Sequence, residues 1–287
     1  MKQKILFYGN CQLGVLCVHM KKHTDYEIID CKNYGLVPFW ADSELFAVWS
    51  EPNFNKQHDL ISKVSEAVKK CDIFIFQHYK NEVSRPVELT TEYLVDINPN
   101  CLAICLPSFW YTGYLGVPGM NPVIYELYTK LNYSAETILD FLQTSTNEFI
   151  HQMIAHEHHN SITELEKRRD NESQKYHNLI DCINYIINNF DKKILTYNHS
   201  HPSIWYFNFL IEKLHTGFKL NINELLNETS LLPGADHNIC YHDLYYFTDY
   251  FKNINDYDIH NNFFSTKLNL KVIEEHIQHI KNSKAAT

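Results

Sequence analysis

The sequence has little glycine and no glycine-rich nucleotide motif. Eight of its 287 residues are glycine, and neither a GxGxxG pattern nor a Walker A pattern occurs. Both motifs use glycine so that the backbone can approach a phosphate group closely. Their absence argues against a glycine-loop nucleotide-binding fold.

Basic residues are also fewer than acidic residues. Lysine and arginine number 25 against 34 acidic residues, which gives a net charge of −9. Because general nucleic-acid affinity needs a basic surface, we expect no nucleic-acid partner.

No run approaches the roughly 18 apolar residues of a membrane span. Polar residues at Gly9-Asn10 interrupt the N-terminal apolar stretch, so we expect no signal peptide and no integral span, and a cytoplasmic location.

Metal-ligand spacings are absent as well. The eight cysteines form no CxxC pair, and the 17 histidines include no HExxH motif. We therefore expect reduced thiols and no bound metal. Four histidines lie close together in one polar segment, for which we expect a solvated helix face: His151, His156, His158 and His159.

Short apolar runs alternate with segments of helical spacing along the chain. This alternation predicts the α/β class, with a central parallel sheet flanked by helices. The predicted strands cover residues 4–8, 26–31, 72–77, 101–106 and 193–197. The predicted helices cover residues 12–23, 56–70, 90–97, 176–190, 203–213, 221–227 and 268–282, and Ser134 is expected to cap a further helix.

The length suits one large α/β domain. We predict a single α/β domain over residues 1–287. A helical elaboration is expected within it at about residues 121–190, and a C-terminal helical segment at about residues 221–287.

The first strand and the first helix meet with almost no loop between them. Gly9-Asn10 ends the run KILFY, and Asn10 is a good N-cap residue. Cys11 is predicted to lie in the first helical turn, where backbone N–H groups and the helix dipole favour anions and lower a thiol pKa. Two roles stay open for Cys11, a small buried residue or a site residue. Asn10 and Gln12 are either capping residues or donors to a developing oxyanion.

Polar side chains follow four of the predicted strands. In parallel sheets, ligands bind at the carboxyl ends of the strands. The sequence therefore predicts a site at this edge, formed by Asn10, Cys11 and Gln12 after the first strand, Gln77 and His78 after the third, Ser108 after the fourth, and His199 and His201 after the fifth.

Several of these segments resemble one known family. They are the opening KILFYGNCQ, the strand DIFIFQ, the segment LPSFWYTGY and the run from LEKRR to KILTYNHSHPS. Together they span roughly residues 4–210 and resemble the WcbI-type polysaccharide biosynthesis proteins, regarded as acetyltransferases of capsule assembly. The family tends to carry Asn-His-Pro. Here Ser200 separates Asn198-His199 from His201-Pro202, and we favour His201 for the family's histidine.

The resemblance implies coenzyme A (CoA), or its acetyl thioester, as ligand. It implies an O-acetyltransferase that moves acetyl from acetyl-CoA to a sugar hydroxyl, either directly or through acetylated Cys11. The base would be His201 or His199. The expected cofactor-binding residues are Gly9, Asn10, Gln12, Gln77, His78, Ser108, Tyr111, Arg168 and Arg169.

Some of these residues also have plainer interpretations. Arg168 and Arg169 either form a charged helix surface or bind the phosphates of CoA. Tyr111 either completes the core or stacks on adenine or a sugar.

Two alternative functions remain. The N-terminal arrangement, in which a candidate nucleophile follows the first strand, also resembles that of SGNH-type carbohydrate esterases. The Asp-x-x-His motif that those enzymes carry near the C-terminus is not evident here. A non-catalytic protein that binds CoA or a glycan is the other alternative.

Overall fold

The computed structural model describes residues 2–9, 11–29, 54–78, 86–111, 126, 128–144, 147–190, 192–193, 195–198, 201–226, 274, 277, 278 and 281. The chain forms two compact units. The first comprises Met1–Ser108, Lys167–Cys182 and Tyr206–Leu231, and the second comprises Phe109–Glu166, Ile183–Trp205 and Leu232–Thr287.

Strands and helices alternate along most of the described chain. The strands are β1 (Lys4–Tyr8), β2 (Glu27–Ile28), β3 (Ile73–Gln77), β4 (Leu102–Leu106), β5 (Thr196–Asn198) and β6 (His201–Pro202). The helices are α1 (Cys11–His23), α2 (Phe54–Lys70), α3 (Thr91–Asp96), α4 (Ala135–Thr144), α5 (Asn147–Ser173), α6 (Ile183–Asn189) and α7 (Ile204–Phe218). Among the described residues, no helix combines the length and apolar character that crossing a bilayer requires.

A four-stranded parallel sheet forms the centre of the first unit. Its strand order is β2-β1-β3-β4, with Ile5 opposite Ile73 and Ile73 opposite Leu102. All five residues of β3 are buried, as a central strand covered on both faces should be. Helices α1 and α2 both contact β1. The predicted α/β class, with a parallel sheet flanked by helices, is confirmed.

In the second unit, α4 starts where the sequence predicted a cap. The Ser134 hydroxyl oxygen accepts a hydrogen bond from the Thr137 N–H at 3.4 Å. Near the C-terminus, the four described residues 274, 277, 278 and 281 are helical, in agreement with the predicted last helix.

The predicted helix over residues 176–190 is only partly right. Helix α5 ends at Ser173, and α6 begins at Ile183. Between them the chain runs along β4, where Cys105 N–H donates to the Asn178 carbonyl at 2.8 Å and Ile180 N–H donates to the Cys105 carbonyl at 3.0 Å. Backbone groups of this segment therefore hydrogen-bond to the open edge of the sheet instead of forming bonds within a helix.

The predicted fifth parallel strand is wrong for the described residues. Strand β5 pairs antiparallel with β6 in a separate two-stranded sheet, with Asn198 opposite His201. Two residues separate these strands, and so short a connection can join only antiparallel strands.

The short helix predicted over residues 221–227 is also wrong, since residues 221–226 are irregular. Side chains satisfy their backbone groups instead. Asn221 N–H donates to the Tyr26 hydroxyl at 2.9 Å, and Leu226 N–H donates to the Asn208 side-chain oxygen at 2.7 Å.

Candidate functional site

The carboxyl ends of β1, β3 and β4 meet at one edge of the sheet in the first unit. The parallel register places Tyr8 opposite Phe76, and Gln77 opposite Leu106. The residues that follow these strands are therefore neighbours, as the sequence predicted for Gln12, Gln77, His78 and Ser108.

Cys11 is the first residue of α1, and two residues separate it from the end of β1. The prediction that it lies in the first helical turn is confirmed. Backbone N–H groups of a first turn have no partner inside the helix, and the dipole there favours negative charge. The side chain of Cys11 and the whole of Asn10 lie outside the described part of the chain.

A buried amide pair lies beside this helix start. The Gln77 Nε2 donates to Gln12 Oε1 at 2.8 Å and lies 3.4 Å from the Pro107 carbonyl oxygen. Both glutamine side chains are buried. Gln77 thus joins the ends of β3 and β4 to the first turn of α1. An amide nitrogen can only donate, so the hydrogen bond from Gln77 to the Gln12 oxygen fixes the orientation in which the Gln12 nitrogen acts as a donor.

Gly9 lies close to the side chains of Leu13 and Gln77. A Cβ atom at Gly9 would lie 2.7 Å from Leu13 Cδ1 and 2.8 Å from Gln77 Oε1. A side chain at residue 9 would therefore force the buried side chains of Leu13 and Gln77 to shift. Gly9 therefore serves here to let β1 turn into α1 against Gln77.

His78 belongs to a second polar cluster at the same edge. Its Nδ1 lies 3.0 Å from the Tyr176 hydroxyl and 3.2 Å from the Thr91 hydroxyl, and these hydroxyls lie 2.7 Å apart. The His78 side chain is 6% exposed, and the Tyr176 ring packs edge-on against Phe76. The imidazole is therefore held in one orientation by two hydroxyl groups.

The charges around His78 come from a nearby ion pair. Lys175 Nζ lies 2.6 Å from Glu92 Oε1, which is 4.0 Å from His78 Nδ1. Burial by itself raises the pKa of Glu92, but the hydrogen bonds from Lys175 and from the backbone outweigh burial and hold the pKa below its usual value. Burial raises the pKa of Tyr176, so its phenol stays neutral.

Sequence reasoning missed Thr91 and Tyr176. Tyr176 lies 98 residues from its partner His78 and had been predicted within an amphipathic helix. Nothing in its immediate neighbourhood in the sequence indicates the contact, because the contact depends on where α5 ends.

The structure separates the two candidate arginines. Arg168 Nη1 lies 3.5 Å from the Ser108 carbonyl oxygen, just beyond β4, and no carboxylate among the described residues pairs with it. Arg169 instead pairs with Asp170 at 2.9 Å and with Asp181 at 3.5 Å. The hydrogen bond to Asp170 raises the pKa of Arg169. Of these two arginines, Arg168 is the one with a described contact at the end of β4.

Tyr111 lies in the core of the second unit. It is 1% exposed, and its hydroxyl is hydrogen-bonded to His158 Nδ1. The His158 ring stacks on Phe190 with centroids 3.7 Å apart. The expected solvated face is therefore wrong for His158, whereas His156 and His159 are exposed as expected. His151 has a described backbone only.

The two candidate bases stay predictions. His199 lies outside the described residues, and of His201 only the backbone is described, in β6. Within the described ranges, no group of three or more histidine, cysteine or acidic side chains could hold a metal ion.

Comparison with known proteins finds a similar fold. No protein-family model and no curated protein matches the chain. A solved structure matches with a TM-score of 0.64 and 15% identity, covering 98% of this chain and 91% of the other. It is WcbI, described as a novel polysaccharide biosynthesis enzyme, in its native form without a disulfide bond between CoA and a cysteine. The resemblance expected from the sequence is confirmed at the level of the fold.

Proposed function

We propose that the protein binds CoA and transfers an acetyl group from acetyl-CoA to a sugar hydroxyl of a surface-polysaccharide precursor, such as a capsule precursor. The observation that carries this proposal is the fold shared with WcbI over 98% of the chain. WcbI is described as a polysaccharide biosynthesis enzyme and in connection with CoA. The step from a shared fold to a shared function is an analogy, so the site residues must support it independently.

The edge of the parallel sheet offers suitable groups for the thioester. The first turn of α1 presents backbone N–H groups, and the hydrogen bond from Gln77 orients the Gln12 amide, whose nitrogen is a donor. A thioester carbonyl gains negative charge when it is attacked, and such donors stabilise that charge. Asn10 is proposed as a further donor.

The phosphates of CoA need cations, and Arg168 is the candidate. Its guanidinium lies beside Ser108 at the end of β4 and has no carboxylate partner among the described residues. Arginine binds phosphate through two parallel hydrogen bonds. Arg169 contributes less in this proposal, because Asp170 and Asp181 already balance its charge.

His201 is the proposed general base. It removes the proton from the acceptor hydroxyl, the oxygen attacks the thioester carbonyl, and the CoA thiolate leaves. In the covalent variant, the Cys11 thiolate attacks first and forms acetyl-cysteine with loss of CoA, and the sugar hydroxyl then attacks this acetyl group. A cytoplasmic location belongs to the same proposal.

Calorimetric titration with CoA tests the proposal first, with dephospho-CoA and acetate as controls. We expect saturable binding of CoA and weaker binding of dephospho-CoA. Thiol release from acetyl-CoA is then measured with a panel of monosaccharides, and it should rise with a suitable acceptor. Binding without any transfer supports a non-catalytic CoA-binding protein. Acetate release from acetylated sugars without CoA supports an esterase. No binding of CoA contradicts the proposal.

Rapid quench followed by mass spectrometry separates the two variants of the reaction. Acetylated Cys11 at early times supports the covalent variant. Its absence, together with an active Cys11→Ser protein, leaves the direct transfer.

A further inference from the structure

Two thiols face each other at the opposite edge of the parallel sheet. Cys71 lies two residues before β3, and Cys101 lies one residue before β4. Their sulfur atoms are 3.5 Å apart. This is the amino edge of the sheet, so the pair is separate from the residues that follow the strands.

Hydrogen bonds of Asn98 fix the backbone positions of Cys71 and Cys101. Asn98 Nδ2 donates to the Val68 carbonyl at 2.7 Å and to the Cys71 carbonyl at 3.0 Å. Cys101 N–H donates to the Asn98 carbonyl at 3.1 Å. Asn98 therefore ties the turn before β4 to the chain that enters β3, and the two thiols are brought together by the fold.

We propose that Cys71 and Cys101 are a reversible oxidation site, which forms a disulfide when a peroxide or a small-molecule disulfide is the oxidant. A disulfide needs a sulfur–sulfur distance of about 2.05 Å and Cα atoms about 4.4–6.8 Å apart. Neighbouring strands lie about 4.8 Å apart. Because Ile73 is opposite Leu102, the two cysteines are offset by one residue, about 3.3 Å along the strands, which corresponds to Cα atoms about 6 Å apart. Side-chain rotation then closes the remaining gap between the sulfur atoms.

The two thiols differ in exposure, which assigns their roles. Cys101 is partly exposed, whereas Cys71 is buried. The Cys71 thiol also lies 3.1 Å from the Val68 carbonyl oxygen, and either thiol can be the donor in the hydrogen bond between the two sulfur atoms. That hydrogen bond lowers the pKa of Cys101, although burial opposes this effect. The same hydrogen bond raises the pKa of Cys71, and burial raises it further. Cys101 is therefore the attacking thiolate, and Cys71 is the thiol that resolves the intermediate.

The oxidation balances with either oxidant. Cys101 thiolate takes one oxygen from hydrogen peroxide to form a sulfenic acid, and hydroxide leaves. The Cys71 sulfur then attacks the Cys101 sulfur, and the sulfenic oxygen leaves as water with the thiol proton. With glutathione disulfide, each step displaces one glutathione thiolate instead. In both cases two electrons pass from the two thiols to the oxidant.

Peptide mapping of the full-length protein tests the site. The protein is treated with hydrogen peroxide or glutathione disulfide, the remaining thiols are alkylated, and the digest is analysed by mass spectrometry. We expect a peptide pair linked through Cys71 and Cys101 that dithiothreitol separates. Failure to find this linked pair with either oxidant overturns the proposal, whatever the variants do.

Cys17 provides a matched control, because it is also partly exposed but lies in α1. Before the linked form appears, Cys101 should be modified about tenfold faster than Cys17. Cys17→Ser should leave the link intact, and Cys71→Ser should leave Cys101 as a mixed disulfide with glutathione. Equal modification of Cys17 and Cys101 would mean that the contact with Cys71 does not activate Cys101, which contradicts its role as the attacking thiolate.

Discussion

The side chain of Gln77 donates a 2.8 Å hydrogen bond to the side chain of Gln12, across 65 residues of sequence. It connects the end of the central strand β3 to the first turn of α1, where Cys11 lies. Because both side chains are buried, water does not compete for the bond. The orientation of the Gln12 amide therefore depends on Gln77.

Replacing Gln77 with leucine should weaken both stability and CoA binding. The change leaves the buried Gln12 oxygen without its donor, which costs about 1–3 kcal/mol in the free energy of unfolding. Urea unfolding and calorimetric titration measure the two effects. Asn98→Ala is the matched control, because it removes two partly buried amide hydrogen bonds at the other edge of the sheet. It should lower stability and leave CoA affinity unchanged. Wild-type affinity in a folded Gln77→Leu protein would refute this role.

Gly9→Ala should destabilise the protein, because the new methyl group would collide with Leu13 and Gln77. Overpacking of this kind costs about 1–3 kcal/mol. Gly217→Ala is the control, since nothing lies within 4 Å of a Cβ at that helical position. There, alanine should raise stability by about 0.5–1 kcal/mol through its better helix propensity. Chemical denaturation of both variants checks the opposite signs, and a neutral Gly9→Ala change would count against the close packing.

Arg168→Ala should reduce CoA affinity by about 10- to 150-fold, since a hydrogen bond to a charged group contributes about 1.5–3 kcal/mol. Arg169→Ala should have a smaller effect, because Asp170 and Asp181 already engage Arg169. Titration of both variants with CoA and with dephospho-CoA measures the difference and identifies the phosphate concerned. A larger loss from Arg169→Ala than from Arg168→Ala would reverse the assignment.

Glu92→Gln should change how stability depends on pH. The pKa of Glu92 is lowered in the folded protein, so its charge stabilises the fold above its ordinary pKa of 4.5. That contribution is lost as the pH falls through the lower, folded-state pKa. Since the pair with Lys175 is partly exposed, we expect a difference below about 1 kcal/mol at pH 7 that disappears on acidification.

Unfolding of wild type and Glu92→Gln between pH 7 and about pH 3 checks this sign. Glu66→Gln is the control, because it breaks a more exposed pair with Lys70 and should change stability less. A difference that grows at low pH would contradict the expected direction.

His201→Asn should lower acetyl transfer by about 100-fold, the usual scale of a lost general base. CoA affinity should change far less, because the base acts on the acceptor hydroxyl. His199→Asn is the matched control two residues away and should retain most of the activity. Steady-state kinetics and CoA titration separate the two effects. Undiminished transfer by His201→Asn excludes it as the base, and a large loss in His199→Asn alone would move that role to His199.

The strand ends of the candidate site could be predicted because they depend on local pattern. Apolar runs located β1, β3 and β4 to within a residue or so of their bounds. The ladder of parallel strands then brings the residues after them together, so Gln12, Gln77 and Ser108 were identified at the correct edge. Ser134 was likewise predicted as a cap, since capping involves only neighbouring residues.

The contacts within that edge depended on the tertiary structure. The Tyr176 hydroxyl reaches His78 because α5 stops at Ser173 and the chain then pairs with β4. The apolar residues of segment 176–190 do have helical spacing. The backbone groups of Asn178 and Ile180 nevertheless hydrogen-bond to Cys105 at the open edge of the sheet. Strand β5 similarly paired with β6, two residues further along the chain, instead of joining the parallel sheet.

The sequence by itself thus determined which segments form the parallel sheet, which edge of that sheet carries polar residues, and that Cys11 lies in the first turn of a helix. Those properties follow from the periodic burial of near neighbours along the chain. The tertiary structure alone decided that Gln77 orients Gln12, that Tyr176 holds His78, and that Arg168 and not Arg169 reaches the end of β4. Each of these depends on which distant donors and acceptors folding buries together, and one segment's pattern does not encode that choice.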